Sequence, residues 1–372
     1  MFGQIVSFKP RNHQDWQQFL ASLGRKSLCG VFLLVGEMTP FDFNALRPLF
    51  KELGVPVFGG VFPGVICGDS WYRDRILGCS IERPITVKVV KNLGGFDGMP
   101  EDEALTGPVE TFLVIVDGLA SNISSFLDVL FETCSRQVSF IGGGAGSLGP
   151  GRKPVLFTEE EYFADGALLV GLEGPVGVGV SHGWEPMYGP LVANRTEGNI
   201  LVELNWQPAF SKYREALKKE VGISIGSENF FEIAKCYPFG MVKIDGSIVV
   251  RDPIRLEGEE GIVLVGEIPQ NSVVMILKGD ETSLINAAGK AASAALASFA
   301  ERTGGRVQSA LVIDCISRVL YLGDNMAREL RAIREKVPPG LQMFGFLSIG
   351  EIAHSGKKYL EFYTKTTVVG VE

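Results

Sequence analysis

Histidine and cysteine are scarce in this sequence of 372 residues, which holds three of the first and six of the second. His13, His182 and His354 lie far apart and form no H-x-x-x-H pair, which argues against a local histidine metal motif. The six cysteines (Cys29, Cys67, Cys79, Cys134, Cys236 and Cys315) form no C-x-x-C, so neither a zinc site nor a disulfide framework is indicated. The longest apolar runs, "GVFLLVG" and "TFLVIVDGLA", fall far short of the roughly 20 residues needed to cross a bilayer. The first residues, "MFGQIVSFKPRNHQDW", lack an apolar segment of signal-peptide length, and the expectation is a soluble cytoplasmic protein. There is no basic tract, and the net charge is −8, which argues against a broad nucleic-acid surface. The acid runs "EDE" (101–103) and "EEE" (159–161) read as solvated turns.

What the sequence has in quantity is glycine, 46 residues, and the densest stretch is Phe140 to Gly151, "FIGGGAGSLGPG". It contains G-x-G-x-x-G at Gly144, Gly146 and Gly149 after the strand-like "QVSFI". A dinucleotide fingerprint requires those glycines to open a helix whose N-terminus holds the pyrophosphate. Here Pro150, Gly151 and Pro154 follow, and proline with poor helix formers opposes that helix. No Lys-Ser or Lys-Thr closes the loop as in a P-loop. Two readings stay open: the glycines permit tight strand connections, or they let backbone N–H groups approach a ligand closely.

Apolar strand-like runs alternate with amphipathic helical segments, and the period of the pattern changes from element to element. Three segments share one plan of buried strand, helix, glycine-ended strand, short excursion and further strand. The first runs from "VFLLVGE" to "RILGCSIE", the second from "FLVIVDGL" to "DGALLVGLEG", and the third from "ALVIDCIS" to "TKTTVVGVE". Asp117 and Asp314 end the matching strands of the second and third. A long Ala-rich helix is expected at about 281–302, capped from Asp280 or Thr282. The predicted class is α+β, with mixed and antiparallel sheets, helices on the outer faces, and a layered α/β/β/α arrangement of two related halves around a cleft.

At "GVPVFGGVFPG" (54–64), "FIGGGAGS" (140–147), "DGALLVGLEG" (165–174), "SHGWEPMYGP" (181–190), "GSIVVRDPI" (246–254), "DCISRVLYLG" (314–323) and "GFLSIGEI" (345–352) the chain resembles FIST-domain proteins (F-box and intracellular signal transduction). The resemblance implies an N-terminal extension at 1–26, a FIST N-terminal domain at 27–226 and a FIST C-terminal domain at 227–372. It also implies a cytosolic sensory module for small ligands, amino acids among them, with haem in some members. Its signalling partner, such as a kinase or chemoreceptor, would act in trans. The family's closing His-Asn-x-Thr type motif stands here as Tyr363-Thr364-Lys365-Thr366, so only Thr366 carries over.

Candidate ligand contacts follow from residue type and place. Arg318 lies just past the strand "ALVIDC", where α/β proteins bind ligands, and its fork suits a carboxylate. Glu351 follows the glycine-rich strand of the same repeat and suits an ammonium; the alternative is that Arg318 and Glu351 pair with each other. Asp314 and Cys315 share that strand end, and Cys315 near Arg318 is either a nucleophile or a buried structural thiol. Gly143, Gly144 and Gly146 would offer backbone to a ligand. Arg251 and Asp252 form an internal salt bridge or touch ligand. His182, beside Trp184, is a candidate haem ligand or a hydrogen-bonded loop residue. Two G-x-S-x-G matches, "GVSHG" (179–183) and "GISIG" (222–226), lack the strand-then-helix setting of a nucleophile elbow. An enzyme using Cys315 or a cleft carboxylate is the remaining alternative to a sensor.

Overall fold

A computed structural model describes residues 1–24, 27–99, 108–134, 138–149, 151–354 and 359–372, so the acid run at 101–103 and Pro150 lie outside the described residues. The chain builds an α+β fold with four sheets. Three of them are copies of one plan, and the fourth is an insertion in the third copy.

Unit one has the parallel strands Gly30–Gly36 and Val57–Phe62 joined by the helix Phe43–Glu52. Ile76–Ile81 returns antiparallel beside Gly30–Gly36, and Phe2–Phe8 forms the edge. Unit two repeats this with Thr111–Asp117, Ile123–Thr133, Ser139–Ala145, the return strand Gly166–Leu172 and the edge Ile85–Lys91. Unit three uses Ser309–Cys315, the helices Ile316–Leu322 and Met326–Arg334, Gln342–Ser348, the return strand Thr367–Val371 and the edge Gly177–Ser181. The two halves expected from the sequence are therefore three units, and residues 2–22, expected as an extension, supply an edge strand and the helix His13–Ser22.

Each unit also makes a short hairpin that completes a different unit's sheet. Gly64–Cys67 and Ser70–Tyr72 of unit one add to Gln342–Ser348. Leu156–Thr158 and Tyr162–Phe163 of unit two add to Val57–Phe62. Glu351–Ala353 and Glu361–Tyr363 of unit three add to Ser139–Ala145. The exchange closes a ring of three.

The central strands are buried along their whole length, so both faces are apolar. Their inner faces meet in one core, where Phe32 and Phe58, Leu113 and Ile115, and Ile313 and Phe346 come together from the three sheets. Their outer faces pack on the helices, as Val31 and Leu33 do with Leu46 and Phe50. Gly59, Gly142 and Gly345 hold the same register position, opposite Leu33, Val114 and Val312. At each, an added Cβ would overlap the carbonyl oxygen of that register partner. Glycine recurs in the repeat because the second strand lies too close to the first for any side chain.

The insertion carries a sheet that includes Glu185–Ala193, Phe239–Val242, Ile248–Glu257, Gly261–Val265 and Ser272–Lys278, with the helices Ala209–Val221 and Phe230–Ala234. It ends in the helix Glu281–Thr303, capped where the Asp280 side chain accepts from Ser283 N and closed at Gly304, φ 61°. This helix lies on Gly177–Ser181, where a Cβ at Gly177 or Gly179 would overlap the carbonyl oxygens of Ala295 and Ala291. Among the described residues no helix is long and apolar enough to cross a membrane.

Candidate functional site

The three glycine-ended strands do converge. Gly146 N donates to Val61 O (2.8 Å), Gly144 N donates to Gly350 O (2.7 Å), and Ile349 N donates back to Gly144 O (2.9 Å). The amides of Gly144 and Gly146 are thus engaged by backbone, and Gly143 sits in the ladder between Ile115 and Glu351. Close packing, not presentation of N–H groups to a ligand, accounts for these glycines.

Beneath the exit of unit three lies a buried polar network. Arg318 is fully buried. Its Nε and one terminal nitrogen donate to the two oxygens of Glu329, each at 2.7 Å. Its remaining donors reach the carbonyls of His182 (2.7 Å), Leu284 (2.9 Å) and Lys365 (3.1 Å). A guanidinium so paired fastens the helix Ile316–Leu322 to the inserted helix and to the closing segment of the chain; it has no fork left for a carboxylate ligand. Its carboxylate partner is Glu329, eleven residues on, rather than Glu351. Asp314 Oδ1 lies 3.4 Å from Arg318 Nε and accepts from Thr367 Oγ1 (3.1 Å). Burial, reinforced by the charge of Glu329, pushes the Asp314 carboxyl well above the usual range.

Glu351 is also fully buried. Ser348 Oγ donates to its Oε1 (2.6 Å) and Thr366 N to its Oε2 (3.2 Å). Cys315 is a further side-chain partner. Burial outweighs these bonds and raises the Glu351 carboxyl to about 8. Thr366 Oγ1 donates to Thr364 O (2.8 Å), so this hydroxyl shapes the turn. At its centre Lys365 is left-handed, φ 52°, and separates the strands Glu361–Tyr363 and Thr367–Val371. The Lys365 carbonyl accepts from Arg318 and from Trp184 Nε1 (3.2 Å), which holds the unusual backbone.

Above this network opens a cavity of about 190 Å³. Unit two contributes Leu119 and Leu148, unit three Cys315, Ser317, Leu320 and Thr364, and the inserted region Phe231, Asp252, Ile254 and Val265. Leu119, Leu148 and Leu320 are exposed, so the mouth is ringed with apolar side chains. A second cavity of about 230 Å³, at 118–124 and 264–267, shares Leu119, Ile254 and Val265 with the first. On the polar side, Ser317 Oγ donates to Asp252 Oδ2. Lys365 Nζ lies 3.1 Å from Asp252 Oδ1 and donates to Lys235 O (2.9 Å). Arg251 is not paired with its neighbour Asp252, because successive strand residues face opposite sides. It donates instead to Glu267 O, Val250 O and Phe362 O. Cys315 is buried, and burial with the charges of Glu351 and Asp252 pushes its thiol well up, away from a thiolate nucleophile.

His182 lies elsewhere, in a wide polar groove of about 940 Å³ between 178–185, the helix Glu281–Thr303 and the 243–249 turn. Its Nδ1 accepts from Trp184 N (3.0 Å), which fixes the ring proton on Nε2. The residues therefore do not fit haem, since an axial ligand needs a free lone pair at that nitrogen.

Residues 31–207 match the FIST N domain and residues 209–354 match the FIST C domain. The chain belongs to the FIST-domain family. No curated protein matches it. FIST domains are sensory domains of signal transduction. In this FIST protein the matched C domain contains Asp314, Cys315, Arg318, Glu329 and Glu351, while Lys365 and Thr366 lie beyond it. The sequence reading had singled out neither Glu329 nor Lys365, nor Ser317 at the cavity. Glu329 alone left a trace, as a carboxylate on the helix after Arg318.

Proposed function

We propose that this FIST-domain protein is a cytoplasmic small-ligand sensor whose ligand enters the cavity above Cys315 and whose signal passes to a partner such as a kinase or chemoreceptor. The observation that carries the reading is a concave apolar site with a few convergent polar groups at Asp252, Ser317 and Thr364, the usual composition of a small-molecule pocket. It lies between unit two, unit three and the inserted sheet, so an occupant touches all three and biases their relative packing. The family's sensory role supports the same reading. Amino acids and related metabolites, the class implied by the family resemblance, are the first compounds to test.

A thermal-shift screen of that class tests it, because a ligand preferring the folded state adds about 2.7 kcal/mol at a hundredfold excess over its Kd. The expected shift disappears in Leu148→Trp, which fills the mouth. A shift that survives Leu148→Trp and vanishes in Lys290→Ala moves the site to the wide groove.

A further inference from the structure

The charges around the cavity specify the ligand more narrowly, provided that the cavity is where the ligand binds. Among the described residues that line it, the one charged side chain is Asp252; none is Lys or Arg. The adjoining cavity likewise presents Glu267 and no cation. Arg318 is enclosed by Glu329 and three carbonyls. Asp252 is itself buried: Ser317 Oγ donates to its Oδ2, and Lys365 Nζ stands 3.1 Å from its Oδ1.

The Ser317 hydroxyl spends its proton on Asp252, so toward the cavity it can only accept, and the partner it lacks is a donor. The Lys365 ammonium already neutralises the carboxylate, so a cationic ligand head gains no ion pair there. An anionic head would enter an apolar space with no cation to receive it.

We infer that the cavity is built for a small ligand with an apolar body and one uncharged hydrogen-bond donor, of the alcohol or primary-amide class. The donor meets Ser317 Oγ, and the apolar body lies against Phe231, Ile254 and Leu320. Within the class of amino acids and related metabolites, the uncharged alcohols and amides thus fit better than the free acids, whose carboxylate finds no partner.

Four probes with one branched skeleton test this: isoamyl alcohol, isovaleramide, isovalerate and isoamylamine. Ligand-observed NMR titrations against the full chain and its Leu148→Trp variant read the affinities. The alcohol and the amide are expected to bind at least about tenfold more tightly than the acid or the amine, and Leu148→Trp to abolish both. If isovalerate or isoamylamine binds as tightly as the alcohol and is lost in Leu148→Trp, the ligand class is overturned while the cavity stands. If no probe binds, or if binding ignores Leu148→Trp, the cavity reading falls and the ligand class with it.

Discussion

The exits of units two and three begin from the same backbone and end in opposite chemistry. Their registers place Asp117 and Cys315 at one equivalent position, each three residues past the partner of the invariant-spaced glycine of its unit, Gly142 or Gly345. The sequence alignment of Asp117 with Asp314 is one residue out, and in a strand one residue reverses the face. Asp117 uses its oxygens locally, accepting from Leu119 N (3.1 Å) and Asp165 N (2.8 Å) and pairing with Arg152 (3.1 Å) at the surface. Cys315 offers a small side chain and leaves room above it. The polar work at that end passes to Asp314, Arg318 and Glu329, inside the protein. One exit carries its ion pair at the surface, and the other holds a buried ion network beneath a cavity.

The contrast is sharpest for the two arginines. Arg318→Met strands Glu329 and three carbonyls, and the expected loss is about 3–5 kcal/mol, or failure to fold. Arg152→Ala in unit two removes a half-exposed ion pair and is expected to cost under about 1 kcal/mol. Urea denaturation of both variants measures the difference; equal losses would erase the distinction between the exits.

Next in size is the shared scaffold. Gly142→Ala and Gly345→Ala each force a Cβ into a carbonyl of the neighbouring strand, at an expected cost of about 1–3 kcal/mol or more. Gly151→Ala, with open space around it, tests only the strained backbone at φ 81°. Melting temperatures should separate the two central glycines from the loop glycine and should not separate unit two from unit three.

A pH-dependent effect belongs to unit three. Glu351 titrates near 8 in the fold, against 4.5 as its ordinary value. Between those values the folded protein holds a proton that the unfolded chain has released, so stability falls as pH rises from about 5 to 8 and then levels. Glu351→Gln should flatten this fall, with its amide donating to Ser348 Oγ and its oxygen accepting from Thr366 N. Denaturation at pH 5 and pH 8 reads the slope, and an unchanged slope in the variant assigns it to another group. Least of all, Cys315 should label with iodoacetamide far more slowly than the half-buried Cys67 and Cys236, as mass spectrometry of digests would report.

The strand bodies were legible in the sequence because they are long and apolar on both faces. Thr111–Asp117 and Ser309–Cys315 coincide with the apolar runs "TFLVIVD" and "ALVIDC", and the threefold plan shows in the recurrence of buried strand, helix and glycine. The exchange of hairpins between units was not legible. Leu156–Thr158 and Glu351–Ala353 have three residues each, and what makes them strands is a neighbour from another unit. The turn at Lys365 escaped because two carbonyl contacts from distant elements, not local propensity, hold it. Arg318 stands out in the sequence by its place at a strand exit, yet its partners come from segments as far off as His182, Leu284 and Lys365. For Asp252 the sequence offers Arg251 or a ligand as partner, and the fold supplies Lys365 and Ser317, because neighbours along a strand face opposite sides.

The cyclic exchange of hairpins has a consequence for the making of the molecule. Unit two's inner strand Ser139–Ala145 stays an open edge until Glu351–Ala353 has been synthesised, more than half the chain later. Nor can unit three's sheet be completed early, although Gly64–Cys67, which it needs, is among the first strands made. The ring thus closes only when the C-terminal strands arrive, and the nascent chain must keep its glycine-rich edges apart from those of other chains until that moment.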